Sequence, residues 1–418
     1  MNELQASAAD LQDTSIHPMP DPAVVPADFA AWRQARRDEL IDQLGIPRQR
    51  VPLNAQRRGG FECDGLVIEK WVFTSEPGSD VPAVLYRPKH ASEQKLPAMV
   101  MTFGHGGSKS QAEYGYTAQA FARLGMACLT LDPIGEEERH LEGRMGTRAH
   151  DLESVDSRAR AAGRLIMGKL VFDTMRGVDF LLEREDIDPA RIGVSGNSLG
   201  GAKAGWMAAL EPRLAVAIVS GWAFGQVNET HGKCCTRIPN LLARQHLTWD
   251  QYLALAAPGC RQRILNGDAD VIIDVAGDGS AWRDTERHVA AAAKVYAALG
   301  QPDGISTWYE RGGGHRPYPA RKANLQWLVS TLKPADWTAQ QVAALPELNF
   351  GDWCRANAIE MERLYGTPLH LCGATMIDLN IPYLTPATLA VLEPQERGDP
   401  RYTLEGWLDQ IERSGRAR

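Results

Sequence analysis

The residues best placed to do chemistry are Gly196-x-Ser198-x-Gly200, inside the run Arg191-Ile192-Gly193-Val194-Ser195-Gly196-Asn197-Ser198-Leu199-Gly200-Gly201. An apolar strand precedes the turn and a helix-forming stretch, Ala202 to Leu210, follows it. A serine lifted on such a turn is a nucleophile elbow. Residues two positions to either side must be tiny, so that strand and helix approach and Oγ stands clear above the sheet. The chemistry open to it is acyl transfer, which further needs a base, an acid to orient that base, and two N–H donors.

Chain order supplies candidates for each. A strand over Arg263-Ile264-Leu265 runs into Asn266-Gly267-Asp268-Ala269-Asp270-Val271-Ile272, and a strand from Ile305 to Tyr309 runs into Arg311-Gly312-Gly313-Gly314-His315. His315 is the expected base, taking the proton of Ser198 and returning it to the leaving alkoxide. Asp270, three residues past Gly267, is the expected acid. Asp268 reads as a turn residue and Asp274 as a further reach, and the sequence leaves the choice among the three open. Leu199 should give one oxyanion N–H. The second should come from Gly104-His105-Gly106-Gly107, from His105 or from Gly106. A glycine-rich loop can also cradle phosphate, but the Walker order is absent and no Gly-x-Gly-x-x-Gly follows the first strand, so no nucleotide cofactor is expected.

These residues need elements to hold them. A short apolar run over Pro97 to Phe103 reads as a strand buried on both faces, followed by a helix over Tyr114 to Leu124 and a strand over Met126 to Leu131. A charged loop, Ile134 to Arg158, leads to a long helix over Arg160 to Glu185. After the elbow come a strand over Ala215 to Ser220, an interruption over Trp222 to Pro258, and helices over Ala281 to Leu299 and Pro319 to Leu332. The rhythm predicts an α/β fold with a mostly parallel, doubly wound sheet. Ahead of it, a helix over Asp28 to Leu44 and two antiparallel strands, Phe61 to Phe73 and Val81 to Tyr86, are expected. The division is an N-terminal arm and helix over 1–58, a catalytic domain over 59–333 with insertions at about 134–158 and 222–258, and a C-terminal extension over 334–418. That tail carries Trp337, Phe350, Trp353, Leu364, Tyr365, Tyr383 and Trp407. It is too apolar for a disordered segment, so it should pack on the catalytic domain or on a partner subunit.

Several of these segments together resemble the acetyl xylan esterase-like branch of the α/β-hydrolases, from about Trp32 to Leu332. They are Phe103-Gly104-His105-Gly106-Gly107, Asp188-Pro189-Ala190-Arg191-Ile192-Gly193 before the elbow, Cys234-Cys235-Thr236-Arg237-Ile238-Pro239, Asn266-Gly267-Asp268-Ala269-Asp270 and Gly313-Gly314-His315-Arg316. The resemblance implies a serine carboxylesterase that removes small acyl groups, typically acetyl from carbohydrate hydroxyls, with Ser198, His315 and Asp270 at its triad positions. Phe103 stands where such loops often carry His, a departure that bears on the substrate and not on the hydrolase chemistry. Other readings are a lactone or peptide hydrolase, or a hydrolase-fold binding module without activity.

Substrate selection should come from the two interruptions, with Trp222 and Phe224 able to stack on a sugar ring. The run Glu136-Glu137-Glu138 is expected to be a solvated face. Adjacent Cys234 and Cys235 could form a vicinal disulfide, with reduced thiols the expected state. The 418 residues carry a net charge of −7, which gives no basic footprint for nucleic acid. Seven cysteines without Cys-x-x-Cys or Cys/His ligand spacing predict neither a disulfide scaffold nor a metal site. No apolar run is long enough for a membrane span, and no signal segment is seen. The expectation is a cytoplasmic protein, or a secreted one if a leader has been removed, acting on a small-molecule or carbohydrate ester and possible as a homo-oligomer.

Overall fold

The computed structural model of the chain describes residues 17–90, 94–360 and 375–416. Helix α1 (Pro26–Gln43) precedes strands β1 (Gln56–Cys63), β2 (Leu66–Glu76) and β3 (Ser79–Pro88). Next come β4 (Leu96–Thr102), α2 (Ala112–Arg123), β5 (Ala127–Leu131), α3 (Glu153–Ala161) and α4 (Ile166–Leu182). The central stretch holds β6 (Ile187–Asn197), α5 (Leu199–Leu210), β7 (Val216–Ser220), α6 (Val227–Thr230), α7 (Cys234–Arg244) and α8 (Trp249–Ala254). It closes with β8 (Arg261–Gly267), α9 (Ser280–Ala298), β9 (Ile305–Glu310) and α10 (Lys322–Leu332).

These strands form one sheet in the order β1-β2-β3-β5-β4-β6-β7-β8-β9. From β5 to β9 every pairing is parallel, while β3 joins β5 antiparallel and β1 to β3 form an antiparallel edge. Strand β4 shows why the sequence reads as a continuous apolar run there. Leu96, Ala98 and Val100 enter an apolar cluster with Leu170 and Leu181 of α4 and Trp206 of α5. Met99 and Met101 enter a second cluster with Phe121 of α2 and Leu328 of α10. A strand covered on both faces has no polar side to alternate with.

Three expectations need correction. The stretch Phe61 to Phe73 is not one strand but parts of β1 and β2, hinged at Asp64-Gly65, where both residues have positive φ (44° and 78°). Asp-Gly is the favoured two-residue hairpin turn because its backbone twist matches that of the strands. The helix expected over Arg160 to Glu185 is broken between α3 and α4, where Gly163 takes φ 71°. Lastly, Glu136, Glu137 and Glu138 are buried, at 0%, 5% and 4% exposure.

The glutamates are buried because each meets a partner. Glu137 and Glu138, with Asp132, surround the buried Lys109 ammonium at 3.0, 2.7 and 2.6 Å. Glu138 also accepts the backbone N–H groups of Val391 and Leu392, at 2.7 to 2.8 Å for their shorter contacts. Next to them Arg139 binds Asp173 at 2.7 Å and the carbonyl of Tyr402 at 3.3 Å. The extension thus closes over charges that would otherwise face water. Its last helix, Leu404–Arg416, sets Trp407 and Leu408 into the first apolar cluster, and Phe350, Trp353 and Tyr402 join the second. Leu364 and Tyr365, and residues 1–16 of the expected arm, lie outside the described residues. Among the described residues no helix is long and apolar enough to cross a membrane.

Candidate active site

The parallel strands all end at one edge of the sheet, so the loops after β4, β6, β7, β8 and β9 gather there. The chain leaves β4 toward β5 on one side and β6 toward β7 on the other. Such a switch point opens a crevice above the strand ends. A cavity of about 660 Å³ occupies it, walled by Gly104, His105, Gly106, Ser198, Trp222 and His315 among others.

Ser198 joins β6 to α5 with φ 60° and ψ −124°, a conformation that costs a non-glycine residue about 1–3 kcal/mol. Its N–H donates to the carbonyl of Ser220 at 2.9 Å. The flanking glycines are steric necessities. A Cβ on Gly196 would overlap Thr102 Oγ1 and the Gly200 carbonyl, and one on Gly200 would lie 2.6 Å from the Thr102 carbonyl oxygen.

His315 reaches the same cavity on the loop after β9. Its Nδ1 lies 2.7 Å from Asp270 Oδ2, and its Nε2 has no partner among the described residues. Asp270 is 1% exposed, and its other oxygen accepts the N–H groups of Ile272 and Ile273 at 2.9 and 3.2 Å. These bonds leave one carboxylate oxygen directed at the imidazole. Asp268 accepts the Gly312 N–H instead, and Asp274 accepts the N–H groups of Gly279 and Ala281 at the start of α9. Of the three carboxylates left open by the sequence, Asp270 is the one bonded to His315.

The loop after β4 sorts its own amides. Gly104 N–H donates to the Tyr114 hydroxyl and Gly107 N–H to the Gly104 carbonyl, both at 3.0 Å. The N–H groups of His105, Gly106 and Leu199 have no protein acceptor among the described residues. Leu199 opens α5, where the helix dipole adds positive potential. The His105 imidazole is engaged elsewhere: its Nε2 lies 3.2 Å from Cys235 Sγ and 3.6 Å from Asp151 Oδ1. Burial, with His150 stacked beside it, holds His105 well below the usual histidine range. Burial likewise pulls the Lys203 ammonium, on α5, down to about 7.

Trp222 stands at the cavity wall, its backbone clamped by the Asn266 side chain at 2.9 and 3.0 Å. Phe224 does not join it, which corrects the expectation. Its N–H is held by Thr285 Oγ1 of α9 at 2.9 Å, and its ring packs on Trp249 and Tyr252, buried at 1% exposure. The cavity also includes residues the sequence did not single out, among them Tyr114 and Arg148. Glu136 accepts the N–H groups of Thr147 and Arg148 and fixes that turn at the cavity wall. No short motif announces such a contact. The side chain of Cys234 lies outside the described residues, so the vicinal pair is not described.

A mostly parallel sheet with a serine elbow at its switch point is the α/β-hydrolase fold. The resemblance seen in the sequence is also found by comparison: residues 49–224 match the acetyl xylan esterase family (AXE1). The matched stretch includes Ser198 and ends before Asp270 and His315. YtaP of Bacillus subtilis (strain 168) is 28% identical over 198 residues, 44% of this chain and 63% of that protein. Among solved structures, the methylesterase BT1017 has a TM-score of 0.60 at 16% identity, over 92% of this chain and 74% of that one. A glucuronoyl esterase from Solibacter usitatus has a TM-score of 0.56 at 14% identity, over 76% of this chain and 95% of that one. At these identities the structural likeness is one of fold.

Proposed function

We propose that this chain is a serine esterase that removes small acyl groups, acetyl first among them, from a carbohydrate or small-molecule ester through an acyl-enzyme. One observation carries the reading: Ser198 on its elbow and His315 face one cavity, with Asp270 on the far nitrogen of His315. The match of residues 49–224 to the acetyl xylan esterase family supports the choice of acyl ester.

In this mechanism Ser198 Oγ attacks the ester carbonyl as its proton passes to His315 Nε2. The Asp270 carboxylate keeps the other imidazole proton on Nδ1 and stabilises the imidazolium. The oxyanion sits between the N–H groups of Leu199 and of His105 or Gly106, the amides the fold leaves unspent. His315 then protonates the departing alkoxide, and water, activated by the same imidazole, releases the acid. Among the described residues Ser198 Oγ makes no hydrogen bond in its present rotamer; catalytic bonds commonly close only with substrate in place.

The test is hydrolysis of p-nitrophenyl acetate, butyrate and octanoate by the wild type and a folded Ser198→Ala. Turnover should fall with acyl length and vanish in the variant. If a fluorophosphonate fails to label Ser198 and the wild type is no faster than the variant, the protein is a binding module and the proposal is lost.

A further inference from the structure

Beside the cavity, three donor atoms from three separate segments converge. His105 comes from the loop after β4, Asp151 from the short turn before α3, and Cys235 from the first turn of α7. Cys235 Sγ lies 3.2 Å from His105 Nε2 and 3.2 Å from Asp151 Oδ1, and His105 Nε2 lies 3.6 Å from Asp151 Oδ1. The side chains of Asp151 and Cys235 are 5% and 1% exposed, whereas His105 opens onto the cavity.

A thiolate, an imidazole and a carboxylate are the ligand types of tetrahedral zinc. With bonds of about 2.3 Å to sulfur and about 2.0–2.2 Å to nitrogen and oxygen, tetrahedral angles set neighbouring donors about 3.4–3.6 Å apart. The observed triangle has nearly that size, so one ion could touch all three atoms after shifts of a few tenths of an ångström, on the order of ordinary side-chain motion. A Cys-His-Asp nucleophilic triad fits less well. There the carboxylate must bind the imidazole nitrogen facing away from the thiol, whereas here Asp151 lies on the same nitrogen as Cys235.

We propose that His105, Asp151 and Cys235 form a binding site for a tetrahedral divalent transition metal of the zinc class, its fourth position open toward the cavity. The metal ties the loop after β4 to α7 and to the turn at Asp151, three parts of the cavity's surround that are far apart in sequence. Its role is to hold the His105 loop in place, and it takes no part in the acyl transfer proposed above. Binding releases the thiol proton, so it strengthens as pH rises. The site runs against the expectation of none drawn from cysteine spacing, because ligands at positions 105, 151 and 235 make no short spacing motif.

The test uses the full chain, reduced and stripped with chelator, and titrated with Co²⁺ and then Zn²⁺. One Co²⁺ per chain should produce thiolate-to-cobalt charge transfer in the near ultraviolet with visible bands of tetrahedral intensity, and Zn²⁺ should bleach both. Cys235→Ser should lose the charge transfer, and Asp151→Asn should weaken binding at least tenfold, each with a wild-type circular dichroism spectrum. Ser198→Ala should bind as the wild type does. If the folded wild type takes up no stoichiometric Co²⁺, or if Cys235→Ser keeps the full charge-transfer band, the site does not exist and the trio is a hydrogen-bonded thiol network. Because the readout is optical, its failure and the failure of the esterase proposal remain distinct.

Discussion

Asp268 and Gly312 tie together the two loops that carry the carboxylate and the imidazole: Asp268 Oδ1 accepts the Gly312 N–H at 2.5 Å. The bond sits two residues before Asp270 and three before His315. Alongside it Ala269 N–H donates to the Gly313 carbonyl at 2.9 Å. A Cβ on Gly267 would collide with that carbonyl, so glycine lets the two backbones touch. Asp268 is not among the residues that wall the cavity, so its expected role is to position the two loops. Asp268→Ala is expected to lower kcat roughly tenfold with KM little changed, as small misplacements of a catalytic group do. Asp268→Asn keeps the acceptor and should restore most of the rate. A rise in KM alone would place Asp268 in substrate binding instead.

Asp270 makes a sharper case because its two oxygens do different work. Oδ1 holds the Ile272 and Ile273 amides while Oδ2 faces His315. Asp270→Asn can keep the first set of bonds while turning its NH₂ toward His315, which then carries its proton on Nε2 and cannot accept one from Ser198. The expected loss in kcat is roughly 10³- to 10⁴-fold with near wild-type stability. Asp270→Ala should add a stability loss of about 1–3 kcal/mol by orphaning the buried Ile273 amide and the part-buried Ile272 amide. An Asp270→Asn variant within tenfold of wild type would shift the acid's role to another residue.

Ser198, the Gly104–Gly107 loop and the two downstream loops could all be read from sequence because their chemistry is local. Each is a glycine-bearing turn at the end of an apolar strand, and chain order ranks the candidates. What escaped reading depends on distant partners. Glu136, Glu137 and Glu138 look like a solvated run until distant partners bury them: the Thr147 and Arg148 amides for Glu136, Lys109 for Glu137 and Glu138, and the Val391 and Leu392 amides for Glu138. Phe224 and Trp222 are two residues apart and equally aromatic, yet the Thr285 hydroxyl on α9 turns one inward. The Asp64-Gly65 hairpin carries a local signal, Asp-Gly between apolar runs, yet Phe61 to Phe73 reads as one strand when that turn signal is passed over.

Trp222 and Phe224 offer a paired test of that distinction. Trp222 is at the cavity wall, so Trp222→Ala should raise KM for a carbohydrate ester several-fold more than for p-nitrophenyl acetate. Phe224 contributes packing against Trp249 and Tyr252. Phe224→Ala should cost about 3–5 kcal/mol of stability while leaving KM of the folded fraction unchanged. Thermal melts beside steady-state kinetics separate the two. Equal KM effects would put both rings against substrate.

Asp173 tests the buried ionic layer under the C-terminal extension. It receives Ser75 Oγ at 2.5 Å, Lys169 Nζ at 2.8 Å and Arg139 Nη1 at 2.7 Å. Burial pushes its pKa up, but the charges of Lys169 and Arg139 outweigh it and hold the carboxyl at about 2, against 3.8 when unperturbed. A depressed folded-state pKa means that the unfolded chain binds the proton more readily. The ionised form therefore adds stability, about 2 kcal/mol, that is complete above roughly pH 4 and is lost as pH falls through 2. Asp173→Asn should cost about 3–5 kcal/mol near neutrality, because Arg139 keeps its buried charge without the carboxylate that faced it and Lys169 keeps, among the described carboxylates, only Glu76, at 3.0 Å. In urea unfolding, the part of that gap owed to the proton should shrink to roughly half by pH 3. A gap that stays constant from pH 7 to pH 3 would mean that Asp173 supports this layer by shape and hydrogen bonding, with its charge contributing nothing.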